Sequence, residues 1–272
     1  KISEYLIKPV NPKQILLVLK KIFFHKNLIE EKTINNYQLE FGKISNELNE
    51  LNNHSDWTDF YIKMVYWEIE LEGLEDHGML SIFQNQMKEA NKLFAKFITK
   101  NYSNWIQNND GPIFSHQILK QKLFKKLKKN ISDTTLLLVI DNLRYDQWKM
   151  ISPIVQNYYQ IKDEIPYFSI LPTATQYARN SIFSGLMPSE MQRHYPHLWV
   201  NENEDGGKNL NEKNFLAEQL ERNNLSFKFS YSKITNLKNG RDFVSRIQNY
   251  KNQDLIVAVY NFVDMISHAK TD

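Results

Sequence analysis

Three short stretches place groups capable of phosphoryl or metal chemistry where a parallel sheet would present them. The first is Asp141, directly after the apolar run Thr135-Leu136-Leu137-Leu138-Val139-Ile140. A carboxylate at a strand's carboxyl end can bind a hard or borderline cation such as zinc or magnesium. The second is Leu171-Pro172-Thr173-Ala174-Thr175, ahead of a predicted helix near Gln176. There Thr175 would meet the positive, amide-rich end of the helix, which favours an anion. A threonine hydroxyl is a poor nucleophile at neutral pH, and a metal on its oxygen makes the alkoxide accessible. The third is Asp264-Met265-Ile266-Ser267-His268. Acid and imidazole at i and i+4 lie on one face of a helical turn and can reach one metal. Taken singly, Asp141 and Thr175 also read as helix caps, and the acid–imidazole spacing arises by chance. Their common position, all at one edge of the same sheet, is what adds weight.

The elements that must position these groups follow from hydrophobic spacing. Tyr5-Leu6-Ile7 reads as the tail of a strand and Ile15, Leu16, Leu19, Ile22 and Phe23 as a helix after Pro12. Ile34, Tyr37, Phe41, Ile44, Leu48 and Leu51 step by 3 and 4, the seam of a helix packed on another helix. Asn52 to Ser55 break it, Ser55 is expected to cap a second helix running to Glu75, and a third helix follows Gly78. Gly111-Pro112 is a break, and a basic helix from Ser115 to Lys129 comes next. Its lysines form a solvated face and Leu119, Phe124 and Leu127 a buried one. From residue 132 onward the pattern alternates. Strands are predicted at 135–140, where both faces should be buried, and at 167–171, 225–231 and 255–260. Helices are predicted at 211–222 and 242–250.

Composition narrows the function classes. The 272 residues are 42% hydrophobic and 24% charged, as in an ordinary globular chain. A formal charge of +3 gives no support for electrostatic nucleic-acid binding. The absence of cysteine removes disulfides, thiolate metal sites and thiol nucleophiles, and fits a cytoplasmic location. No apolar run of 18 residues is present, so membrane insertion is not expected. His25, His54, His77, His116, His194 and His197 lack the spacing of His268 and read as ordinary surface or core residues. The chain starts without Met and reads as an internal piece of a longer protein.

The order of strand-end Asp, helix-start Thr and later Asp-x-x-x-His resembles the alkaline phosphatase superfamily. The stretch Leu171-Pro172-Thr173-Ala174-Thr175-Gln176-Tyr177-Ala178-Arg179-Asn180, continued by Phe183-Ser184-Gly185-Leu186-Met187-Pro188, is similar to the PglZ branch. Tyr5-Leu6-Ile7-Lys8-Pro9-Val10 resembles the last strand of a receiver domain. Receiver end, helical bundle and PglZ domain, in that order, resemble the PorX family of response regulators.

That resemblance implies an α/β protein in three parts. Residues 1–26 would end a receiver domain, 27–131 form a helical bundle, and 132–272 begin a mostly parallel alkaline-phosphatase-like sheet. It implies two zinc ions, one held by Asp141 and Thr175, the other by Asp264 and His268. Thr175 is the implied nucleophile and Thr173 its alternative. Arg179 and Asn180 would contact phosphate oxygens, and Lys8 would be the receiver's signalling lysine. The phosphoacceptor Asp, with its magnesium site, would precede Lys1. The remaining zinc ligands would follow Asp272. The implied activity is phosphodiester hydrolysis on cyclic or linear oligonucleotides, under a sensor histidine kinase, in control of type IX secretion and gliding. The rival reading is a non-catalytic module. In it, phosphorylation drives homodimerisation and contact with a sigma factor or secretion component; the Ile34–Leu51 seam motivates it, and an intramolecular bundle explains that seam equally well.

Overall fold

The computed structural model describes residues 12–75, 77–129, 133–201, 203–261 and 263–265. The predicted strand at Tyr5-Leu6-Ile7, Lys8 and His268 therefore lie outside the described residues. The chain divides into two compact units, at 1–111 and 112–272.

The first unit consists of three helices, α1 (Pro12–Glu50), α2 (His54–Glu72) and α3 (Gly78–Asn108). The two helical stretches read separately before and after residue 26 are one helix, α1. No proline or glycine interrupts residues 13–41, so nothing stops propagation once the helix has started. The seam buries Tyr37, Ile44 and Leu48 against Trp57, Phe60, Met64, Trp67 and Leu71 of α2 and Phe83 and Ala90 of α3. Of the two readings of the stripe, dimer surface and intramolecular bundle, the structure takes the second. A buried polar contact fixes the register: Gln86 accepts from the Tyr37 hydroxyl at 3.1 Å and donates to Ser45 Oγ at 2.9 Å. The cap of α2 is Asn53 and not Ser55. Its side-chain oxygen accepts from the amides of Ser55 and Asp56 at 2.9 and 3.0 Å.

The second unit is α/β. A 3₁₀ turn (Ser115–Gln117) and a π turn (Leu119–Leu123) lead into α4 (Phe124–Lys129). Then come β1 (Thr135–Ile140), α5 (Tyr145–Val155), α6 (Thr175–Ser184), α7 (Pro188–His194) and α8 (Glu212–Arg222). The described chain closes with β2 (Phe229–Ile234), α9 (Leu237–Arg246), a 3₁₀ turn (Ile247–Tyr250) and β3 (Leu255–Tyr260). The segment 112–129 packs with the sheet, so the unit begins some 20 residues ahead of the limit at 132 expected from sequence. Leu119, Phe124 and Leu127 enter the sheet's core, as their spacing predicted.

The three strands are parallel in the order β1-β3-β2, with Ile140 and Ile234 both opposite Tyr260. The carboxyl ends are therefore level. Leu255, Val257 and Val259 of β3 join Phe183, Met191, Phe215 and Leu216 on one face. Ile256 and Ala258 join Ile234 and Phe243 on the other. β3, and not β1, is the strand buried on both faces. Among the described residues β1 is an edge strand, and Leu136 and Leu138 remain 46% and 47% exposed. The strand expected at 167–171 is a single bridge, Phe168 to Phe114, with Phe168 N donating to Ile113 O at 2.8 Å. Pro166 and Pro172 bound this stretch and limit ladder formation. No described helix is long and apolar enough to cross a membrane.

Gly185 ends α6 in the left-handed region at φ 67°, and a Cβ there would overlap the Gln219 side-chain amide of α8. Gly185→Ala is expected to cost about 2–4 kcal/mol from the αL penalty plus crowding. Thermal denaturation should show a Tm about 5–15 °C lower. An unchanged Tm would mean that the α6–α8 contact is not tight.

Candidate active site at the carboxyl edge of the sheet

Each strand delivers a polar residue to the same edge. Asp141 continues β1, its amide donating to Tyr260 O at 2.9 Å. Asn261 continues β3, its amide donating to Ile234 O at 2.9 Å. Lys233 sits one residue before the end of β2. Beyond β3 the chain turns helically, with Met265 N donating to Asn261 O at 3.1 Å, and this turn carries the half-buried Asp264.

Helix α6 crosses this edge. Its cap residue is Ala174, which offers no side-chain acceptor, so the first-turn amides keep their affinity for an anion. Thr175 is the first helical residue and is half-buried, and its hydroxyl has no partner among the described residues. Thr173 is exposed and precedes the helix. Arg179 follows Thr175 by one turn on the same face.

Arg179 is the centre of the site. It is 4% exposed, and its Nη1 donates to Asp141 Oδ2 at 2.6 Å and to Asn261 Oδ1 at 3.1 Å. Its Nε donates to Glu212 Oε1. Glu212 opens α8 and is fully buried. It also accepts from the Tyr231 hydroxyl and lies 3.8 Å from Lys233 Nζ. Lys233 Nζ donates to Asn209 O at 2.9 Å, and Asn209 Nδ2 donates to Thr175 O at 3.2 Å. The chain of contacts thus returns to the first turn of α6. Asn180 spends both amide hydrogens on Gln176 O and Lys208 O, at 2.8 and 3.0 Å, and pins the 201–209 loop to α6. Its Oδ1 is buried without a hydrogen-bond partner among the described residues.

The electrostatics follow from burial and proximity. Burial pushes the Asp141 carboxyl above the usual carboxylate range. Arg179 draws it down, and the charges of Asp264 and Glu212 push it up again. Asp264 is therefore near enough for its charge to be felt at Asp141. Burial lowers the Lys233 ammonium, against Glu212, which pulls it back up. Burial, then the Glu212 charge, raises the Tyr231 phenol. Three carboxylates face two cations, so one unit of negative charge is left over when all five ionise.

Of the residues expected from sequence, the structure joins Asp141 and Arg179 directly, sets Asp264 near enough for its charge to be felt at Asp141, and links Thr175 to the edge through Asn209 and Lys233, whereas Asn180 bonds to Gln176 and Lys208. Glu212, Lys233, Tyr231 and Asn261 were missed. Lys233 fell two residues past the strand expected at 225–231, whereas β2 runs from Phe229 to Ile234 and Lys233 is its one charged residue. Glu212 looked like any first-turn acid of a helix. Among the described residues no three acids or imidazoles form a metal cluster. The donors present are carboxylate and hydroxyl oxygens beside an excess of negative charge, and such a set fits a hard or borderline cation in kind.

Comparison with protein families gives two matches. The model of the PorX response regulator linker domain matches residues 27–106. The model of the BREX system PglZ alkaline phosphatase-like domain matches residues 118–272. No curated protein matches the chain.

Proposed function

Since this chain belongs to the PorX family, a response-regulator linker joined to a PglZ alkaline phosphatase-like domain, we propose that its output is zinc-dependent hydrolysis of a phosphodiester with Thr175 as nucleophile. The family makes it a signalling regulator with a hydrolase-like output and a sensor kinase as partner. The observation that carries the finer reading is the 2.6 Å bond from Arg179 to Asp141. It sets the face of α6 that bears Thr175 against the strand-end acid.

In the proposed reaction the anionic diester docks at the uncapped start of α6. Thr175 Oγ1 loses its proton and bonds to phosphorus as the opposite P–O bond breaks, and the leaving alcohol takes up a proton. Water then cleaves the phosphothreonine, which frees the phosphate product and restores the hydroxyl. When bound, two zinc ions, one at Asp141 and Thr175 and one at Asp264 and His268, would supply Lewis-acid charge that eases proton loss and offsets charge on the phosphoryl oxygens. Arg179 and Asn180 were expected to touch phosphate; here both are buried and hydrogen-bonded to protein groups. A groove of about 650 Å³ beside the first turn of α6 is lined by Tyr177, Gln192, Asn201 and Glu204, with Trp199 buried at its base, and the oligonucleotide substrate is proposed on the family resemblance. We further propose a cytoplasmic protein that regulates type IX secretion and gliding. Residues 1–26 end its receiver domain, with Lys8 in signalling and magnesium at the phosphoacceptor.

Chelation is the direct test. Treating the full-length protein with EDTA should reduce hydrolysis of a chromogenic diester and a cyclic oligonucleotide to background, and zinc should restore it. Hydrolysis that survives complete zinc removal would end the metal-dependent reading.

A second reading, a phosphorylation-controlled homodimer that contacts a sigma factor or secretion component, is favoured by the apolar residues left exposed on α1 beyond residue 26, among them Leu28, Ile29 and Leu39. Sedimentation before and after phosphorylation should then show a change in mass.

A further inference from the structure

We infer that Arg179 and Glu212 form a positioning pair for Asp141, so that Arg179 acts through the strand-end carboxylate and not on the substrate. The inference rests on the reading of Asp141 as a metal ligand. Arg179 is 4% exposed, which leaves little room for a substrate phosphate to reach it. Its bonds run inward. Nη1 holds Asp141 Oδ2 and Asn261 Oδ1, and Nε holds Glu212. The Asp141 oxygen Oδ1 stays outside these bonds. A carboxylate with one oxygen fixed in this way has lost its freedom about χ2 and presents the other oxygen in one orientation.

Glu212 keeps Arg179 in place from the far side. It is fully buried, it neutralises the guanidinium, and its second oxygen is itself held by Tyr231 and Lys233. The planar fork of arginine suits the task, because it donates to three acceptors on three elements at once. A lysine ammonium keeps the charge and loses that geometry. Groups that orient a metal-binding carboxylate commonly carry 10–100-fold in metal affinity.

The test is zinc affinity, measured on the full-length protein by competition with a chromogenic chelator, for Arg179→Lys, Glu212→Gln and Asp141→Asn. Thermal denaturation and the KM for a chromogenic diester at saturating zinc accompany it. Arg179→Lys and Glu212→Gln should each bind zinc about 10–100-fold more weakly, with KM near native once zinc is saturating. Glu212→Gln keeps the size of the native side chain and one acceptor oxygen, and its amide nitrogen cannot accept as the second carboxylate oxygen does, so it loosens the pair without opening a cavity and secures the measurement if Arg179→Lys folds poorly. A raised KM with native zinc affinity would overturn the inference and return Arg179 to the substrate. A lowered Tm with native zinc affinity would overturn it too, leaving the pair a structural role only. Native zinc affinity in Asp141→Asn would instead sink the metal-ligand reading beneath it. Weak binding in Asp141→Asn with native binding in both other variants would refute the positioning role alone.

Discussion

Thr175→Ala is expected to reduce phosphodiester hydrolysis by about a thousandfold or more while leaving the fold intact, because the variant loses the atom that bonds to phosphorus. The side chain is half-buried at the first position of α6, its hydroxyl has no partner among the described residues, and alanine is a good helix former. Little stability is therefore at stake, and circular dichroism and Tm should match the native protein. Thr175→Ser, which keeps a hydroxyl, should retain measurable turnover. Thr173→Ala is the internal control. Thr173 is exposed and lies ahead of the helix, outside the reach of its amides, so that variant should stay close to native. If the two alanine variants exchanged behaviour, Thr173 would be the nucleophile. If both stayed active, hydrolysis would not proceed through a threonine.

Glu212→Ala is expected to destabilise the α/β unit by about 3–5 kcal/mol, the usual cost of removing one partner from a buried ion pair. Two groups lose their acceptor and a third its neighbouring charge. Arg179 keeps Asp141 as its ionic partner, the Tyr231 hydroxyl is stranded in a buried setting, and Lys233 loses its nearby charge. For a unit of this size the loss should appear as a Tm lower by about 6–20 °C. Urea titration monitored by tryptophan fluorescence checks it, since Trp199 lies in the same core as the helix that carries Glu212. The paired change Arg179→Leu with Glu212→Leu should cost more than Glu212→Ala, because the largely buried Asp141 carboxylate is then left without its cation. Equal losses in the single and paired variants would mean that the Arg179–Asp141 contact adds little stability.

Much of this arrangement is set by short-range chemistry and is legible along the chain. The apolar runs at Thr135–Ile140 and Leu255–Tyr260 became strands with the predicted limits, since each presents apolar side chains to both faces with no proline inside. The helix at Glu212–Arg222 differs from expectation by one residue. Asp141 and Thr175 were found because strand ends and helix starts are local features.

Other parts needed the third dimension. Whether a strand is central or at an edge depends on which neighbours pair with it, and β3 took the centre although β1 has the same kind of sequence. Five residues between two prolines had strand composition and found only one bridge, to a segment more than fifty residues earlier. Arg179 is the clearest case. As a sequence position it is a cation one turn after a threonine, equally suited to a phosphate or a carboxylate. Its partners Asp141 and Glu212 lie 38 and 33 residues away along the chain. No periodicity encodes that pairing. The parallel sheet brings its carboxyl ends level, α6 and α8 pack together over that edge, and burial makes an unpaired charge there too costly to leave.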